Sequence, residues 1–94
     1  MLRLPATLTH DEAAGFARTL AAAVRAEPES VVADAGALQV FDSGALAILL
    51  ACRREALAAG KSFAVAGLPP RLRQLAGLYG VAELLPAPAD AVPA

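Results

Sequence analysis

Few side chains in this sequence could do chemistry, and the most suggestive of them sit together in FDSGALAILL, residues 41 to 50. Asp42, Ser43 and Gly44 run straight into a helix-like stretch that is apolar on every side. A serine at a helix start works as a nucleophile only when a base takes its proton. The sole histidine, His10, bears no sequence relation to Ser43. Asp34 closes a β-branched run, a place where open α/β sheets carry functional carboxylates. No second carboxylate, histidine or lysine stands at a motif-like spacing from it, so capping a loop is its plainer role. A single cysteine, Cys52, excludes an internal disulfide and, with one histidine, an ordinary Cys/His zinc site. Within an apolar stretch Cys52 reads as a small buried hydrophobe. Neither phosphate-binding glycine pattern, GxGxxG or GxxxxGK[ST], occurs. Catalysis is therefore the poor reading, and neither a cofactor nor a metal is expected.

Ser43 has two non-catalytic uses that share one geometry. As an N-cap it would satisfy an orphan amide of the first helical turn, worth about 0.5–2 kcal/mol against alanine. At the positive end of a helix its hydroxyl could also accept phosphorylation, or meet a partner's carboxylate or phosphate. The run GALAILLAC, residues 44 to 52, then shows no polar residue, whereas a helix lying on a sheet should show a polar stripe. Either Ala45, Ala47 and Ala51 form a tolerable outer stripe, leaving Ile48 and one leucine hard to hide, or another protein covers the start of this helix.

The bulk numbers narrow the class further. The 94 residues make one small domain, 57% hydrophobic but only 4% aromatic, built on alanine and leucine. Eight Lys+Arg against nine Asp+Glu give a net charge of −1, without the electrostatic footprint of a nucleic-acid binder. Charges are dispersed apart from Arg53-Arg54 and Arg71 with Arg73, which argues against a polybasic membrane patch. The first residues, MLRLPATLTHDE, lack a signal-peptide layout, and no apolar run approaches the ~18–20 residues of a membrane span. These features predict a cytosolic protein without direct membrane insertion.

The elements that must position Ser43 follow from periodicity. LRLPATL, residues 2 to 8, reads as a strand that Pro5 confines to an edge or end. THDE supplies a capping box, Thr9 with Glu12, ahead of a stripe formed by Ala13, Phe16, Ala17, Leu20 and Val24. Glu27-Pro28 ends that helix. SVVAD, residues 30 to 34, reads as a buried strand and AGALQVF, residues 35 to 41, as a connector. A helix is predicted from about Ser43 to Ala59, with Gly60 at its left-handed C′ position. KSFAVAG, residues 61 to 67, is the next strand. Pro69-Pro70 opens a third helix with Leu72, Leu75, Ala76 and Tyr79 on one face and Gly80 at its end. The proline- and alanine-rich tail, residues 87 to 94, reads as disordered behind a domain at 1 to 86. The order β-α-β-α-β-α predicts a small α/β domain with a mainly parallel sheet.

VVADAGALQVFDSGALAILL, residues 31 to 50, resembles the signature of STAS domains: a strand ending in Asp34, a connector, then Phe41, Asp42 and Ser43 before a helix. The resemblance continues through AAGKSFAVAGLPPRLRQLAGLYGVAELLP, residues 58 to 86, whose ending is most similar to the MlaB-type branch. It implies a non-catalytic accessory subunit that binds and supports the ATPase (MlaF-like) of an ABC transporter moving phospholipid between bacterial membranes. That role maintains outer-membrane lipid asymmetry from the cytoplasmic side, peripheral to the inner membrane. The partner-binding positions it implies are Phe41, Asp42, Ser43, Gly44, Leu46, Ala47 and Leu50. A homodimer through the same apolar surface is a further expectation. The alternative within the family is an anti-sigma-factor antagonist in a phosphorylation-controlled partner switch. Those antagonists carry the phosphate on the residue after the Asp-Ser/Thr pair, here Gly44, so Ser43 would have to substitute. STAS domains also usually begin with one more strand than MLRLPATL provides, which would leave a sheet edge open to a partner or a second copy.

Overall fold

The computed structural model describes residues 1–88. Its elements are β1 (Leu2–Arg3), β2 (Thr7–Leu8), α1 (His10–Ala26), β3 (Ser30–Asp34), β4 (Val40–Phe41), α2 (Ser43–Ala58), β5 (Ser62–Ala66), α3 (Pro70–Leu78) and a short 3-10 turn, Ala82–Leu84. All strand pairings are parallel: β1-β3-β5 form one sheet and β2-β4 a second, smaller ladder. This is the α/β architecture expected. Because β1, β3 and β5 follow one another in a single direction, right-handed crossovers put α1 and α2 on the same face, and the two helices pack side by side there.

The segment expected as one strand over residues 2 to 8 is two short strands, and the expected connector contains β4. Proline explains the break. Pro5 has no N–H to give to a ladder, and pairing stops after Leu4 N donates to Asp34 O at 2.9 Å. It resumes one residue later, where Ala6 O accepts from both Gln39 N at 2.8 Å and Val40 N at 3.0 Å. The chain after Ala35 thus leaves the three-stranded sheet, and β4 pairs with β2 in the smaller ladder directly before Asp42.

Val31, Ala33 and Val65 point into the layer shared with Leu20, Val24, Leu49, Cys52 and Ala56 of the helices, together with Leu72 and Ala76 of α3. Ile48, which sequence leaves hard to hide, is inside this core at 3% exposure. Two expected core positions are not inside. Ala17 is exposed, and Tyr79 is 60% exposed because it is the residue at which α3 ends rather than part of its buried face. Gly60 and Gly80 have the positive φ expected of residues that follow helices, 73° and 71°.

One long-range fastening has no sequence signature. The Lys61 ammonium, at the entrance to β5, donates to the carbonyls of Val24, Arg25 and Glu27 at 3.0, 3.1 and 2.6 Å. It thereby satisfies the orphan acceptors at the C-terminus of α1. At the other end of the domain, Val65 N donates to Pro86 O at 2.8 Å, which ties the residues after the 3-10 turn to the outer edge of β5. Ala87 and Pro88 border a recess with Ser30, Val32, Ser62 and Ala64. The tail expected to be disordered otherwise falls on 89 to 94, outside the described residues.

Candidate functional site

Both helices begin at the same place, and one carboxylate serves both. Asp42 is extended (φ −139°, ψ −161°) and its Oδ1 accepts from Gly44 N at 2.7 Å, capping α2. Its Oδ2 accepts from His10 N at 3.2 Å, in the first turn of α1. Burial acts to raise the Asp42 carboxyl, but the Gly44 and His10 amides and the His10 charge outweigh it and hold the group below its ordinary value. Thr9 completes the start of α1: its N–H reaches Glu12 Oε1 at 3.3 Å and its hydroxyl the same carboxylate at 2.9 Å.

The cap expected at Ser43 therefore belongs to Asp42. An acidic side chain one residue earlier reaches the N–H of Gly44, and Ser43 becomes the first residue of the helix proper. Its hydroxyl is left half-exposed and lies 3.1 Å from His10 Nε2. Sequence separates these residues by the whole of α1 and β3, and the shared carboxylate is what unites them. The pair lacks the third, orienting group of a hydrolytic triad among the described residues. Asp42 holds the main chain of His10 rather than its ring, so nothing in this arrangement orients the imidazole as a base. Asp34 is occupied locally, its Oδ1 accepting from Gly36 N at 2.9 Å, which is the loop-capping role. Cys52 is 1% exposed, and burial, helped by the Glu27 and Glu55 charges, pushes its thiol up to about 11. Such a thiol is inert.

Gly44 is the tightest point of the site. A Cβ there would lie 2.8 Å from Asp42 Oδ1, 2.9 Å from His10 N and 3.0 Å from the Thr9 carbonyl carbon. Two of these neighbours are backbone atoms, so the start of α2 seats against α1 only because this residue has no side chain.

The expected partner-binding positions divide when placed on the surface. Phe41, Asp42 and Ser43 are half-buried at the helix start, Ala47 is exposed and Leu50 half-buried on the outer side of α2. Leu46 is 3% exposed and belongs to the protein's own core, as does the buried Gly44. Leu46 drops out as a surface residue because a helix that packs on both a sheet and α1 buries more than half its circumference. Residues that sequence reasoning missed join the rim. Val40 is 54% exposed on β4 beside Phe41, and the Arg71 guanidinium lies 5.9 Å from the centre of the Phe41 ring. The isolated order of residues gave no signal for His10 or Arg71.

A fold of this kind has relatives. A solved structure, that of the anti-sigma factor antagonist SpoIIAA in its unphosphorylated form, superposes with a TM-score of 0.67 at 16% sequence identity, over 94% of this chain and 77% of that one. The likeness is one of fold. A search of curated proteins gives no match. The model of the MlaB STAS domain family matches residues 1–86, nearly the whole described chain and both halves of the Asp42 junction. The chain belongs to the STAS domain family, in its MlaB branch.

Proposed function

We propose that this protein is a non-catalytic STAS subunit that docks on and supports the ATPase of a phospholipid-trafficking ABC transporter. The observation that carries the reading is the collision at Gly44. The position at which antagonists of the partner-switch type carry a phosphate is filled here by backbone of α1, with 2.9 Å between a would-be Cβ and His10 N. A switchable hydroxyl has no room there. What remains outward is a fixed platform: Val40 and Phe41, the Ser43 hydroxyl, and the small Ala47 one turn further on. Membership of the MlaB branch supports the same direction. No helix among the described residues is long and apolar enough to cross a membrane, so contact with the membrane would run through the partner.

Its action is linkage. A subunit that binds one arrangement of the ATPase better than another raises the population of that arrangement by its differential affinity. Co-purification of this chain with the ATPase encoded beside it tests the reading. Ser43→Arg adds a bulky cation to the platform without touching the core. The expected result is loss of the complex and of the ATPase stimulation it brings. Retention of both with Ser43→Arg, or a kinase-type anti-sigma factor that binds in the ATPase's place, removes the reading.

A further inference from the structure

The outward face of α2 carries a second feature, which overlaps the Ser43 platform only at Ala47. Ala47, Leu50, Arg54 and Leu57 recur at steps of three, four and three residues, the spacing by which one helix forms a seam with another. The inward face of the same helix is already used, by Ala45, Ile48, Leu49, Cys52 and Ala56. Apart from Leu50, which is partly buried against the core, the seam is additional to what the fold needs. Its far half opens into a trough of about 540 Å³ lined by Ala47, Leu50, Arg53, Arg54, Leu57 and Leu84. Leu57 is 49% exposed at the end of it.

Charge identifies the occupant. Among the described residues one ion pair forms, Met1 N-terminus with Glu27 at 3.1 Å, so neither Arg53 nor Arg54 is neutralised by a carboxylate. Glu55, between them and Leu57 in sequence, lies on the opposite side of α2, in a recess with Ala21, Val24 and Arg25. Glu83 is exposed on the 3-10 turn and makes no ion pair. We propose that the seam and trough receive an amphipathic helix of a partner protein, apolar along one stripe and flanked by carboxylates that meet Arg53 and Arg54. A second copy of this chain fits poorly. A two-fold contact centred on the trough would set Arg53 and Arg54 against their own copies, and like charges at close range are repulsive. A lipid surface is also a poor fit. Two cations supply only about 1 kcal/mol each toward an anionic membrane, and the apolar residues here line a concavity.

The proposal shares with the docking reading only α2 and the small Ala47. Its centre lies about two to three turns, roughly 10–15 Å, from Ser43, so the two can fail separately. The probe is a labelled synthetic helix of about five turns, leucines at the seam spacing and glutamates beside them, with a twin in which every glutamate is lysine. Fluorescence anisotropy should show the acidic probe binding about fivefold to tenfold more tightly than the twin at low salt, with the advantage shrinking as salt rises. Arg53→Glu with Arg54→Glu should reverse the preference, whereas Ser43→Arg should leave it. Both arginines are outside the core. Circular dichroism checks the fold, and Arg53→Gln with Arg54→Gln, expected to abolish the preference, replaces the charge reversal should that variant unfold. Equal binding of the twins, or an acidic preference indifferent to the arginines, overturns the proposal. So does self-association in sedimentation that Leu57→Asp disperses, or binding to phosphatidylglycerol vesicles with none to the acidic probe. If the ATPase co-purifies while the twins bind alike, this inference falls and the docking reading stands. If the acidic probe binds but the ATPase does not, the reverse holds.

Discussion

The two faces of α2 are made from nearly the same amino acids and do different jobs. Its inner face (Gly44, Ala45, Leu46, Ile48, Leu49, Cys52, Ala56) is buried against the sheet and α1, with Leu49 at 0% exposure. Its outer face offers Ala47, Leu50 and Leu57 to the surroundings, broken by Arg53 and Arg54. An ordinary surface helix shows water a polar stripe, and α1 does so, exposing Arg18, Thr19, Ala22 and Arg25. The difference teaches that hydrophobicity alone does not mark a core. In this domain it marks a core on one side of a helix and an exposed apolar face on the other, with only the placement of two arginines to tell them apart.

The sharpest way to break that contrast is the same truncation on both faces. Leu49→Ala should cost about 2–5 kcal/mol, because it removes buried contacts and leaves a cavity. Leu57→Ala should stay within about 0.5 kcal/mol of the parent. Urea denaturation of both variants checks this, and comparable losses would mean that the outer face is folded against something within the chain. Next in size is Gly44→Ser. The added atoms meet backbone on the α1 side, so overpacking should cost about 1–3 kcal/mol, read as a lowered Tm. A variant as stable as its parent would reopen the phosphorylatable position. The smallest effect is the acid limb at Asp42. Its carboxyl sits below the ordinary 3.8 in the folded protein, so the folded state holds its proton less tightly than the unfolded one. The stabilisation is complete above the unfolded value and fades as pH falls through the lower, folded one. Asp42→Ala should accordingly melt lower than the parent at neutral pH, and the gap should close below about pH 4.

Most of the layout was legible from local signals. Thr9 and Glu12, the prolines at 28 and 69–70, and Gly60 and Gly80 mark helix ends by backbone chemistry that acts within a few residues. Strands were less legible, because a two-residue ladder such as Thr7–Leu8 with Val40–Phe41 is defined by its partner and not by its own sequence. At the site, the motif around Asp42 marks the start of α2 as expected, but the cap belongs to Asp42 and not to Ser43. Asp42 serves two helices at once, and one of them starts 32 residues away. Leu46 was counted as surface for a related reason: an apolar run has no internal marker of which side the sheet will take. Ile48, judged hard to hide, is hidden by the same packing. Arg53 and Arg54 were visible as a pair, but their role depends on Glu55 facing α1, which only the three-dimensional arrangement supplies.

Lys61 gives the domain a mechanical asymmetry. Three carbonyls of the α1 terminus share its single ammonium, so the last turn of that helix is fastened to the residue that leads into β5. Pulling on the end of α1 loads the edge strand β5 directly, while the start of α1 is held through short caps around one aspartate. A load applied at the shared start of the two helices would therefore travel along an α1 whose far end is fastened rather than frayed.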